Sequence, residues 1–298
     1  MVLAVTLSAL AVGCGEGPEA TSDAEVEPSG LGKEITMPIA AASARLVSPG
    51  SQPRAPLRPA VAPGTSQQVT LRTDHHVEQQ INSQAAGNFS APTVTIPLTA
   101  SLDHEGIALA LGTATSTDPD LAQQLLTADG SHAGFELGDN GAITRFRLAT
   151  APDSSESARA ALERAFNQAV YNSLVFPNEP VGTGAVWTVR QQISDDLEPN
   201  GAEQVTTARL TGRTGNLLTI ALDVTQTPKS RAWKLPGNGG SLDIVGYAMH
   251  GTGTVTVDLG LPLPVSGSVT VLGNQSYRDP RASVLLRQDV RTQVRWGR

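Results

Sequence analysis

From Gln67 onward the chain alternates. Val69, Leu71, Thr73, His75, Val77 and Ile81 fall on one parity, and Gln68, Thr70, Arg72, Asp74, His76, Glu78 and Gln80 on the other. Successive side chains of a strand point to opposite faces, so this stretch predicts a strand with one buried face. The same period of two recurs at 93–100, 106–115, 142–149, 185–194, 203–212 and 217–227. "HEG" at 104–106 and "RTGN" at 213–216 carry the turn residues of hairpins. Longer alternating runs fill 241–260, 264–278 and 282–296, with Pro262 and Pro264 breaking the first from the second. About nine strands joined by short links predict an antiparallel meander, because parallel strands need long crossovers.

The period changes to that of a helix twice. Asp118 before Pro119 predicts a short helix over about 119–127. In 154–176, Ala158, Ala161, Leu162, Ala165, Phe166, Ala169, Val170, Ser173 and Leu174 form one stripe, with Glu163, Arg164, Asn167 and Gln168 off it. Asp153 and Glu156 stand at capping-box spacing, and Pro177 marks the end. Such a stripe must lie on something apolar, and the sheet is the available surface. The expected fold is therefore α+β: a large curved antiparallel sheet of about nine strands, with one long and one short helix packed on one face.

The first residues do not fit that pattern. Residues 2–12, "VLAVTLSALAV", are an apolar run too short to span a bilayer, which needs about 20 residues, and suited to a signal-peptide core. Cys14, the single cysteine among 298 residues, follows directly. From 15 to 65 the chain holds eight of its twenty prolines, and Glu16, Glu19, Asp23, Glu25 and Glu27 supply most of the net charge of −7. That composition predicts a tether that does not fold alone, within which 33–47 is more apolar and a candidate to dock on the domain. The expected organisation is a signal peptide at 1–13, a lipid-anchored linker at 14–65 and one α+β domain at 66–298.

The remaining composition mostly excludes. Apolar residues make up 39% and aromatics 4%, so the core is aliphatic. The near-neutral domain has no basic patch and gives no reason to expect nucleic acid. One cysteine forbids an internal disulfide. His75 and His76 are adjacent on a strand and so point to opposite faces, His75 to the apolar one, which argues against a shared metal site. Ser131-His132 lacks the G-x-S-x-G context of a nucleophile elbow and reads as a loop after a helix, with Gly130 as its cap. Asp195, Asp196 and Glu198 read as a solvated hairpin loop. No catalytic residue, metal ligand or cofactor is expected, and the ligand-binding residues stay open.

Two resemblances add to this. Ala11-Val12-Gly13-Cys14 resembles the lipobox of bacterial lipoproteins, departing from it in having Ala11 where Leu is usual and no Lys or Arg before Lys33. The resemblance implies a lipid on Cys14 and an extracytoplasmic protein anchored to the cell membrane. "FPNEPVGTGAVWTV" at 176–189, with "TLRTDHHVEQQIN", "TADGSHAG" and "LLRQDVRTQVRW", looks like a family of actinobacterial secreted lipoproteins without an assigned function. The sheet-plus-helix plan is also similar, more loosely, to mycobacterial glycolipid-carrying lipoproteins. Two functions follow as expectations. One is an envelope protein binding a lipid or other apolar ligand between sheet and helix. The other is a non-enzymatic interaction module with a packed interior that holds an envelope partner. A cavity of several hundred Å³ under the helix separates them, since ligand pockets run to about 300–1,000 Å³.

Overall fold

The computed structural model describes residues 33–193, 201–235 and 240–297. In chain order the first strands are β1 (Glu34–Pro38), β2 (Ser43–Ser48), β3 (Ser66–Ile81), β4 (Gly87–Asn88), β5 (Ala91–Asp103), β6 (Gly106–Leu111) and β7 (Thr115–Ser116). Helix α1 (Pro119–Leu125), a short 3-10 turn, β8 (His132–Leu137), β9 (Ile143–Ala149) and helix α2 (Glu156–Tyr171) come next. The rest is strand: β10 (Val186–Ile193), β11 (Ala202–Thr214), β12 (Leu217–Pro228), β13 (Ala232–Lys234), β14 (Ser241–Asp258), β15 (Ser266–Arg278) and β16 (Leu285–Gly297).

These make one antiparallel sheet of sixteen strands instead of about nine. Its main path runs β1-β9-β8-β6-β5-β3-β16-β15-β14-β12-β11-β10-β2, with β4, β7 and β13 as short additions. Most neighbours are hairpin partners in sequence, as the short links require. The main exception among the long strands is β16 on β3, where the last strand meets the third.

The two edges of this path are β1 and β2, which do not pair with each other. Laid flat, thirteen strands about 4.8 Å apart would put those edges roughly 58 Å from one another. Only Ile39–Ala42 separate them in sequence, and that link reaches no more than about 18 Å. The sheet must therefore curl until its edges nearly meet. One extended segment bridges the gap, pairing with β9 through its first half and with β10 through its second. Residues 34–48 thus belong to the folded domain, which begins well before residue 66; the expected tether at 14–65 contains two strands of the sheet. The inward residues Ile35 and Met37 pack on one core cluster, and Ala44 and Leu46 on the other.

The helices lie inside the curve. Asp118 caps α1 as expected, its Oδ1 accepting from the Leu121 N–H at 2.8 Å. At α2 the cap is Ser155, not Asp153: Ser155 Oγ accepts from the Ala158 N–H at 3.1 Å, and Glu156 turns to Arg159. The helix also stops at Tyr171, five residues before 176. Beyond it the chain is irregular, and the Val175 carbonyl accepts from the buried Trp187 indole at 2.8 Å. The apolar stripe of α2 packs on β3, β5 and β9. Phe166 is fully buried between Phe135 and Phe146, with ring centroids 6.1 and 5.3 Å away.

Candidate functional site

Strand register decides what faces α2. His75 of β3 lies opposite Thr292 of β16, and Thr292 opposite Val271 of β15. Two residues on, Val77, Val290 and Gly273 form the next level, and Gln79, Gln288 and Gln275 the level after that. Gly273 also stands opposite Met249 of β14. A Cβ there would meet the Ala248 carbonyl oxygen at 1.8 Å, so the close approach of β15 to β14 requires glycine. Between these inward faces and α2 is a cavity of about 490 Å³.

Its walls are mixed. Val77, Ile244, Met249, Val271 and Val290 give apolar surface, and the Tyr277 ring packs tilted against Trp233 of β13, with centroids 5.0 Å apart. A belt of glutamines runs between them and is largely satisfied internally. Gln226 donates to Gln204 Oε1 at 3.0 Å, Gln204 donates to the Tyr171 carbonyl at 2.8 Å, and Gln288 donates to Gln79 at 2.9 Å. The Tyr277 hydroxyl donates to Gln275 Oε1.

Three groups on the same walls break that pattern. Gln168 is only 4% exposed, yet its buried Oε1 has no hydrogen-bond partner among the described residues. The indole N–H of Trp233 is buried without an acceptor among the described residues. Arg164, one turn before Gln168 on the same face of α2, lines the cavity with no hydrogen bond or ion pair among the described residues. No described Asp or Glu lines this cavity. His75 is 8% exposed and shares a 3.1 Å hydrogen bond with Thr292. Burial first, then the positive charge of Arg164 and neighbouring His76, lower its pKa from 6.5 to about 4. Near neutral pH His75 is therefore uncharged, and Arg164 is the one cation among the described lining residues.

A second cleft of about 990 Å³ opens elsewhere on the curled sheet, with Phe135, Trp296, Leu263 and Phe176 on its walls. Two of its charges are paired across it, Arg145 with Glu136 at 2.6 Å and Arg147 with Glu105. Behind its wall, Gln67 holds the Leu263 backbone through a two-way bond.

The residues singled out by sequence fare differently. His75 faces inward and His76 is exposed, so the two do not converge. No group of three or more His, Cys, Asp or Glu comes together among the described residues. Ser131 is buried, donating to the Ala128 carbonyl and accepting from the Ala151 N–H, so its hydroxyl is held by backbone. Asp195, Asp196, Glu198 and Cys14 lie outside the described residues. Arg164, Gln168 and Trp233 were not foreseeable as a group. The first two sit off the apolar stripe, and Trp233 lies outside the alternating runs. That they line one cavity depends on α2 lying within the curled sheet. Compared with known protein families, curated proteins and solved structures, the chain matches none.

Proposed function

We propose that this protein is a cell-envelope lipoprotein that binds, and carries without altering, a ligand with a substantial apolar part held between α2 and the sheet. The observation that carries this reading is the cavity of about 490 Å³ under α2. Its volume lies within the span of about 300–1,000 Å³ usual for ligand pockets, and its walls combine apolar surface with a few polar groups. A fully packed interior, which the interaction-module alternative calls for, leaves no such space. The lipobox-like Ala11–Cys14 supports anchoring at the membrane, where apolar ligands are encountered.

Two measurements on detergent-free protein test it together. Native mass spectrometry is expected to find a bound small molecule, and the neutral probe N-phenyl-1-naphthylamine is expected to bind saturably. An empty native mass together with a linear, non-saturating probe signal would overturn the reading.

A further inference from the structure

We infer that the mouth of the α2 cavity docks on an anionic lipid surface, with Ile81, Phe89 and Val245 entering it and Arg231, Lys234, Arg278 and Arg281 meeting its headgroups. This goes beyond the carrier reading, which leaves open where the cavity fills, and it is tested without a ligand in the cavity.

The first ground is where apolar side chains are exposed. Phe89 lines the cavity and is 61% exposed, so it stands at the opening. Its N–H donates to the Val77 carbonyl at 2.8 Å, which holds it beside β3. A row of paired residues crosses the same end of the sheet. Ile81 lies opposite Leu286, Leu286 opposite Tyr277, and Tyr277 opposite Ile244. Tyr277 and Ile244 line the cavity, and Ile81 is 39% exposed. With strands about 4.8 Å apart, the row spans about 14 Å. The register slips between Ile244 and Gly246. Such a bulge re-aims a side chain, and Val245, which it contains, is 46% exposed. A single exposed apolar side chain is ordinary, but a group of them around an opening marks an interaction site.

The second ground is the charge beside them. The chain carries −7 overall. Residues 229–245 and 277–281 reverse that sign, with Lys229, Arg231, Lys234, Arg278 and Arg281 set against Asp243 and Asp279. Pairing gathers the two stretches at one corner of the sheet. Asp243 lies opposite both Ala232 of β13 and Arg278 of β15. The Ile244 N–H donates to the Arg231 carbonyl at 2.8 Å. The Arg281 guanidinium lies against Gly240, so closely that a Cβ there would collide with it. All five cationic residues are exposed.

The third ground is that the two features occur together. At a bilayer, aromatic and aliphatic side chains enter the boundary between headgroups and acyl chains, while Lys and Arg keep their charged ends among the headgroups. Each basic residue held near an anionic leaflet adds to the attraction. A nucleic acid would meet the cations but offers no acyl boundary for Ile81, Phe89 and Val245. A cavity that opens onto a bilayer also takes up an apolar ligand without passing it through water, the transfer that the hydrophobic effect penalises.

The test places a tryptophan at the mouth and another far from it, each in the full chain. Val245→Trp reports the mouth. Leu217→Trp replaces a side chain of similar exposure, 42%. Its partner Asp258 lies thirteen residues along β14 from Val245, about 40 Å away. Neither position lines the cavity, so both read the outer surface. Fluorescence is measured on vesicles with brominated acyl chains, which quench on contact, made of phosphatidylcholine with and without phosphatidylglycerol. The two variants share the three native tryptophans and the same N-terminus, so binding through residues 1–14 affects both alike. Quenching is expected for Val245→Trp on the vesicles with phosphatidylglycerol and not for Leu217→Trp. Adding Arg231→Glu and Arg278→Glu to Val245→Trp is expected to weaken partition into those vesicles by about tenfold or more. If neither variant is quenched, or both are quenched equally, the docking inference fails; saturable N-phenyl-1-naphthylamine binding without vesicles would still uphold the carrier reading. No quenching together with a dimer in sedimentation would assign the face to a second copy of the chain. Quenching of Val245→Trp that ignores both phosphatidylglycerol and the charge reversals would overturn the anionic surface.

Discussion

Phe166 is the side chain on which the position of α2 most depends. It is fully buried, and the two rings it touches, Phe135 and Phe146, are themselves buried and held by β8 and β9. Phe166→Ala removes a whole ring from a place its neighbours cannot collapse into, because both are fixed on paired strands. Such truncations cost about 3–5 kcal/mol, which includes two aromatic contacts of about 0.5–1.5 kcal/mol each. With rigid neighbours, the expected loss is about 4 kcal/mol, a large share of the 5–15 kcal/mol typical of a domain (about that range). Urea unfolding followed by tryptophan fluorescence reads it, since Trp187 is fully buried. The midpoint is expected to fall with the slope unchanged. The same variant is expected to weaken probe binding, because α2 forms one wall of the cavity. A loss below about 1.5 kcal/mol, the size of a volume-conserving core swap, would refute the packing of α2 inside the sheet.

Three further outcomes follow from particular residues. His75 takes up its proton at about 4 in the folded protein instead of 6.5, so the unfolded chain binds that proton first and stability falls as pH drops from 6.5 towards 4. At about 1.36 kcal/mol per pKa unit the loss is about 3 kcal/mol; His75→Gln should flatten this part of a stability-against-pH profile, and an unchanged profile would exclude His75 as its source. Gly273→Ala forces a methyl group onto the Ala248 carbonyl and should cost about 1–3 kcal/mol in thermal or urea unfolding; a neutral result would mean that β14 and β15 are not held this close. Cys14→Ser should move the protein from the membrane to the soluble fraction or leave the precursor uncleaved, and a membrane-bound variant of unchanged mature mass would refute the anchor.

Much of the sheet was legible because alternation reports burial on one face directly. β3, β5, β6, β9–β12 and β14–β16 all coincide with alternating runs, and α1 with its Asp118–Pro119 signal. What was missed depends on partners distant in sequence. The β8 stretch "HAGFEL" is short, with glycine and histidine, and is a strand because β6 and β9 lie on either side of it. β1 and β2 are set among prolines, and only pairing with β9 and β10 makes them strands. The capping box at Asp153 failed because Ser155 is two residues nearer the helix and its hydroxyl reaches the same kind of donor. The site was least legible of all. A polar residue off an apolar stripe normally faces water, and Gln168 is buried only because the sheet curls round both sides of its helix.

The central claim is that the space under α2 holds a ligand, and occluding it is the most direct test. Val290 is half-buried, lies on β16 opposite Gly273, and lines the cavity. Val290→Trp places an indole in that space and leaves every residue of α2 in place. Titration of the folded variant with N-phenyl-1-naphthylamine is expected to show affinity reduced by about tenfold or more, equivalent to about 1.4 kcal/mol, with a melting temperature near that of wild type. Wild-type affinity in a variant that melts normally would contradict the account, because the probe would then be binding elsewhere.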